Sequence, residues 1–237
     1  MLKIKTTLTA LLLFTFAINA EVKIPKPQHL MDVANVFSNS QEDKVVTLLK
    51  EFNKKTKATM YVLILDSLES ESIEGFSMRA IDSWGKKAPG DKDRDDGILL
   101  TISLKDRKVR LEIGQGLEGV LPDGRVGDII RQAASYMKKK NYIGAIHHYM
   151  DASAHFINGS SITGKTYTPH KRSKGKKKGF NWWILLFIII FFLPGNRGGG
   201  FYISSGGGRG GGFSGGGGGS FGSSGGGFSG GGASGSW

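Results

Sequence analysis

Residues Ile98–Ile113 read ILLTISLKDRKVRLEI, and this stretch decides the fold. Ile98 to Ser103 is a largely apolar run that forms the first arm of a hairpin. Lys105-Asp106 turns the chain back into Lys108 to Ile113, where Val109, Leu111 and Ile113 alternate with Lys108, Arg110 and Glu112. The alternation predicts a β-hairpin whose outer strand buries only one face.

Upstream, Met60 to Leu65 (MYVLIL) is a continuous apolar run, the pattern of a strand covered on both faces, and Leu30 to Phe37 (LMDVANVF) reads as a short extended segment. Between them Ser38 and Ser40 offer caps to an amphipathic helix carrying Val45, Leu48, Leu49 and Phe52. Ile73, Phe76, Ala80, Ile81 and Trp84 form the stripe of a second helix. Downstream of the hairpin, Pro122-Asp123-Gly124 starts a long helix with Val126, Ile129, Ile130, Ala133, Ala134 and Met137 in register. A last helix carries Ile143, Ile146, Tyr149, Met150 and Ile157. The order β-α-β-α-β-β-α-α predicts a three-layer α/β domain with a largely parallel sheet.

Composition limits that domain to residues 21–160. The chain has 237 residues, and most of its 37 glycines follow Gly195. All 20 Asp and Glu lie between Glu21 and Asp151, matched there by 21 Lys and Arg, so the net charge of +12 comes from the ends of the chain. Basic residues that flank apolar segments point to an anionic lipid surface as partner, not to nucleic acid. The absence of cysteine excludes disulfides, thiol catalysis and Cys-based zinc sites.

Lys3 and Lys5 precede the apolar run Leu8 to Ile18, and Ala20 gives way to Glu21. That is the layout of a signal peptide over residues 1–20, cleaved after Ala20, with an uncleaved anchor as the alternative. A basic linker, 161–179, leads to a hydrophobic membrane anchor at 180–194 that opens with Trp182 and Trp183 and closes at Pro194. Its apolar part, Phe180 to Leu193, would measure about 21 Å as a helix against about 30 Å of hydrocarbon, so both a spanning helix and a re-entrant or interfacial segment fit. The glycine-rich remainder, 195–237, is expected to be a disordered tail. The folded domain is then extracytoplasmic and membrane-tethered.

Carboxylates dominate the chemistry. Gly90 to Gly97 (GDKDRDDG) has the alternating oxygens of a calcium loop, yet its glycine falls one position late and Ile102 stands where the bidentate glutamate belongs. A solvated loop accounts for it as well. If the strands at Asp32, Met60 and Ile98 run parallel, however, Asp32, Asp95 and Asp96 share one sheet edge, to which Glu118 and Asp123 return. Such a group binds a cation or holds protons. Singly, Asp123 is a good helix cap, Asp96 can shape a turn and Glu118 can be exposed. Gly114 to Gly119 (GQGLEG) has the glycine spacing of a dinucleotide loop, but it follows a hairpin strand and reads as a tight structural loop. His148, Asp151 and His155 share a helix face with His147 nearby, a spacing open to a metal or to ordinary exposed polar residues.

These stretches resemble the TPM domain family, and in particular its bacterial members with a glycine-rich C-terminal tail. The resemblance is carried by Met31 to Ser38 (MDVANVFS), Trp84-Gly85, Asp95 to Leu100 (DDGILL), Arg107 to Gly119 (RKVRLEIGQGLEG) and Leu121-Pro122-Asp123, with a tail ending GGASGSW at Trp237. It implies a Rossmann-like domain on the outer side of a membrane with an acidic site for calcium or another divalent cation, Asp32, Asp95, Asp96, Glu118 and Asp123 being the candidate ligands. It also implies two kinds of role: assistance to a membrane protein or complex, or acid phosphatase activity through the same site. The chain departs from the pattern at Asp95, where an asparagine is common, and at Pro122, where a threonine is frequent.

Overall fold

The computed structural model describes residues 21–169 and 231–237. The expected signal peptide, the anchor and most of the basic linker and tail lie outside the described residues. Among the described residues no helix is long and apolar enough to cross a membrane.

Strands β1 (Leu30–Asp32), β2 (Thr59–Leu65), β3 (Gly97–Ser103), β4 (Lys108–Ile113) and β5 (Gly232–Ser236) form one sheet in that spatial order. β1, β2 and β3 are parallel, whereas β4 and β5 each run antiparallel to the neighbour before them. Every residue of β3 is buried, Thr101 and Ser103 included. Alternation then sorts side chains by face: Met60, Val62, Ile64, Ile98, Leu100 and Ile102 join one core, while Leu63, Leu65 and Leu99 join the other.

Helices α1 (Asn39–Thr56), α3 (Asp123–Lys138) and α4 (Tyr142–Asn158) cover the first face, and α2 (Ile73–Trp84) covers the second. The expected three layers are therefore present, with the apolar stripes turned inward. Ser38 and Gln41 close a capping box at α1, and Ser72 accepts from the Gly75 N–H at α2. Truncating Phe76, which is fully buried under the sheet, to alanine would cost about 3–5 kcal/mol.

Four local expectations are corrected. β1 stops at Asp32 instead of running to Phe37, because the Asp32 carboxylate turns back to accept the Phe37 N–H at 2.9 Å and Asn35 adopts φ 53°. The N-cap of α3 is Pro122; Asp123 is already helical, and its Oδ1 accepts from the Gly232 N–H. β4 is not one-sided, since Glu112 is buried there and α2 lines its second face. Nor is it the outer strand. The last residues of the expected disordered tail form β5, for a glycine-rich segment that cannot build a core can still complete an edge where bulky side chains would not fit.

Candidate functional site

The loop ahead of β3 is built from its own carboxylates. Asp91 Oδ1 accepts from the Asp93 and Arg94 N–H groups, and Asp96 Oδ1 accepts from the Asp91 N–H at 2.8 Å. Asp96 Oδ2 accepts from Arg94 Nε at 2.7 Å, so both oxygens of this buried side chain are already engaged. The hydrogen bond to Asp96, helped by its charge and that of Asp91, raises the Arg94 pKa and holds the guanidinium charged.

Asp95 is different. It adopts φ 44°, a left-handed conformation in which an aspartate is tolerated. Two bonds hold it there: the Gln115 N–H donates to Asp95 Oδ2 at 2.9 Å, and the Gly116 N–H donates to its carbonyl at 2.9 Å. The second requires a glycine, since a Cβ at 116 would lie 1.9 Å from the Arg94 carbonyl oxygen. The GQGLEG segment is thus the structural loop expected, and its purpose is to clamp residues 94–95. Asp95 Oδ1 remains buried with no hydrogen-bond partner. A desolvated carboxylate oxygen without a donor costs free energy unless a cation or a proton answers it.

Among the other predicted ligands, Asp32 does not join Asp95. Asp32 aligns with Ile64, and Ile64 with Ile102, whereas the start of β3 at Gly97 aligns with Thr59. Five residues of strand, about 16 Å, therefore separate Asp32 from the Asp95 edge along the sheet. The convergence expected from the sequence fails here, because β1 ends at Asp32 instead of beginning there. Asp32 Oδ1 is likewise buried and without a hydrogen-bond partner, at the opposite edge.

Glu118 and Asp123 come together at the β4–β5 end of the sheet. A Cβ on Gly231 would lie 2.3 Å from Asp123 Oδ1 and 3.3 Å from Glu118 Oε1. Beside them stands Glu112, which the sequence reading passed over. It is 1% exposed and paired with Arg110 through two guanidinium nitrogens. Burial pushes its pKa up against the pull of Arg110, and the nearby Glu74 and Asp123 push the same way. The signal was present in the sequence: Arg110 and Glu112 share a strand face with opposite charges, which is how a buried pair is built.

The α4 cluster resolves into structural roles. Asp151, 5% exposed, takes the Ile162 and Thr163 N–H groups and the Ser161 and Thr163 hydroxyls, so it fastens the segment after α4 to the helix. His148 is packed by Tyr136, Tyr149 and Tyr167, and burial lowers its pKa. Among the described residues, no group of three or more His, Cys, Asp or Glu side chains is arranged to hold a metal ion.

The model for a family described as the TPM domain matches residues 30–156 of this chain. Among solved structures, the fold is similar to the N-terminal domain of a protein from P. gingivalis, at 26% identity and a TM-score of 0.50 over 63% of this chain and 100% of that one. It is also similar to the N-terminal domain of cg2496 from Corynebacterium glutamicum, at 12% identity and a TM-score of 0.45, covering 64% of this chain and 95% of that one. BA42 from Bizionia argentinensis matches at 13% identity and a TM-score of 0.45, covering 58% of this chain and 94% of that one. No curated protein matches the sequence.

Proposed function

The chain belongs to the TPM domain family, and from that premise we propose that it is a membrane-tethered, extracytoplasmic binding module that takes a divalent cation at Asp95 and assists a membrane protein or complex. The observation that carries the cation reading is the buried, unpartnered Asp95 Oδ1, held in a left-handed turn by the 114–116 loop. One carboxylate oxygen is a small ligand set. Calcium, however, accepts backbone carbonyls and waters in flexible geometry, which suits a loop of this kind. The site is therefore a weak one, drawn from the Asp91–Asp96 loop and not from five converging side chains.

The phosphatase reading gains less. Of the two cations of this loop, Lys92 and Arg94, the second is engaged by Asp96 and Asp91, which withdraws it from a phosphate beside Asp95.

The test is a calcium titration of the purified full chain, followed by thermal unfolding, for wild type and Asp95→Asn. Asparagine keeps the left-handed preference and removes the charge. A saturable rise in Tm is expected in wild type and is lost in the variant. A wild-type Tm that ignores calcium would sink the cation reading and leave the family assignment untouched.

A further inference from the structure

Two kinds of contact hold β5. The first is indifferent to sequence: the Ile113 N–H donates to the Gly231 carbonyl at 2.8 Å, the Trp237 N–H reaches the Arg107 carbonyl at 3.4 Å, and the strand pairs from Glu112↔Gly232 to Lys108↔Ser236. Any extended peptide could make these bonds along an open edge.

The second kind is selective. A Cβ at 235 would lie 2.5 Å from Ile130 Cγ2 on α3, so only glycine lets the strand lie this close. The Gly232 N–H donates to Asp123 Oδ1 at 2.9 Å, outside the β4 ladder. Ser234 Oγ accepts from Arg110 Nη1 at 3.1 Å and hydrogen-bonds Glu74. Although burial alone would push the Glu74 pKa up, this bond and the charges of Arg110 and Lys108 outweigh it and bring the pKa down. Ala233 and Trp237 pack on the edge of the main core. Small residues on one face, a serine read by a charged pair on the other, and a terminal aromatic make a pattern that few segments satisfy.

Residues 231–237 nonetheless lie at the margin of the interior. None is fully buried, whereas β1 to β4 and the four helices supply the buried core. Their connection to the domain runs through residues 170–230, so in energetic terms they are a tethered ligand and not a core strand.

We propose that the β4 edge and the adjoining face of α3 are a peptide-binding site selective for an extended segment of small residues followed by tryptophan, and that the chain's own residues 231–237 occupy it as a detachable ligand. The inference rests on β5 alone and stands apart from the cation at Asp95. Detachment would leave the outer backbone groups of β4 unpaired, the condition under which an edge accepts a strand from elsewhere. It would also release Asp123 from Gly232 and uncover the Arg110–Glu112 pair.

The test uses the full chain in mild detergent and a fluorescent heptapeptide of residues 231–237, read by anisotropy. In a chain carrying Gly235→Val the internal strand is blocked, and the peptide is expected to bind saturably. Wild type should bind it at least about 10-fold more weakly, because a tethered end competes at an effective concentration on the order of millimolar. A chain ending at Gly230 should behave as the Gly235→Val chain does, which covers the case in which that variant folds poorly. A heptapeptide bearing the same valine should not bind. The proposal is overturned if neither opened chain binds better than wild type, or if the valine peptide binds as well as the original. A wild-type dimer that dissolves on Gly235→Val would overturn the assignment of the occupant to the same chain.

Discussion

Replacing Asp151 by alanine separates a metal ligand from a structural fastener. In the structure this carboxylate accepts four hydrogen bonds from residues 161–163, two of them from backbone N–H groups: Ile162, buried, at 2.7 Å and Thr163, half-buried, at 3.0 Å. The hydroxyls can turn to other acceptors. The two N–H groups cannot, and leaving a buried donor unsatisfied costs about 1–3 kcal/mol. Taking about 2 for Ile162 and about 1 for Thr163 gives about 3 kcal/mol for Asp151→Ala. For a chain of this size that corresponds to a fall in Tm of about 6–12 °C. Asp151→Asn keeps Oδ1 for both amides and should cost only about 1 kcal/mol. Thermal unfolding followed by far-UV circular dichroism reads both. A loss below about 1 kcal/mol for alanine, or a wild-type Tm that falls with chelator in proportion to the mutant's loss, would refute the fastening role.

Arg110→Ala leaves Glu112 buried without its partner, and should destabilise by about 3–5 kcal/mol near neutral pH. Since burial raises the folded pKa of Glu112 above its ordinary value, the folded state binds more protons. Denaturant melts of the variant should therefore show stability highest in acid and falling as pH rises through the carboxylate range, relative to wild type. His148 acts in the opposite sense: burial lowers its folded pKa below the ordinary 6.5, so its contribution is intact above that value and lost as pH falls below it. His148→Leu should flatten that part of the stability profile between about pH 5 and 7. Gly116→Ala drives a Cβ to 1.9 Å from the Arg94 carbonyl oxygen, and chemical denaturation should show a loss of about 1–3 kcal/mol.

The helices and the central strands were legible because each buries a stripe of the right period. Phe52, Phe76, Ile129 and Tyr149 lie in the core with most of their stripes, while Leu48, Ala134, Ile143 and Ile157 are half-buried at the margins. The end of β1 was not. Val33, Val36 and Phe37 continue the apolar run past Asp32, yet Val33 is 48% exposed, and the bond that turns the chain, Asp32 to the Phe37 N–H, spans an irregular turn that no periodicity records. That one misplaced boundary moved Asp32 to the wrong edge and counted it among carboxylates that it does not join. β5 was hidden for another reason: the glycines that mark a segment unable to fold alone are also what fits against Ile130. Composition cannot tell these apart without the partner surface.

The cation at Asp95 is tested most directly by following backbone amides during a calcium titration of the full chain by heteronuclear NMR. The account predicts saturable shifts of the Gln115 and Gly116 amides, which bond to the Asp95 side chain and carbonyl, with the Phe37 amide on Asp32 unmoved. Shifts centred on Phe37, or no saturable shift at Gln115 and Gly116, would contradict it.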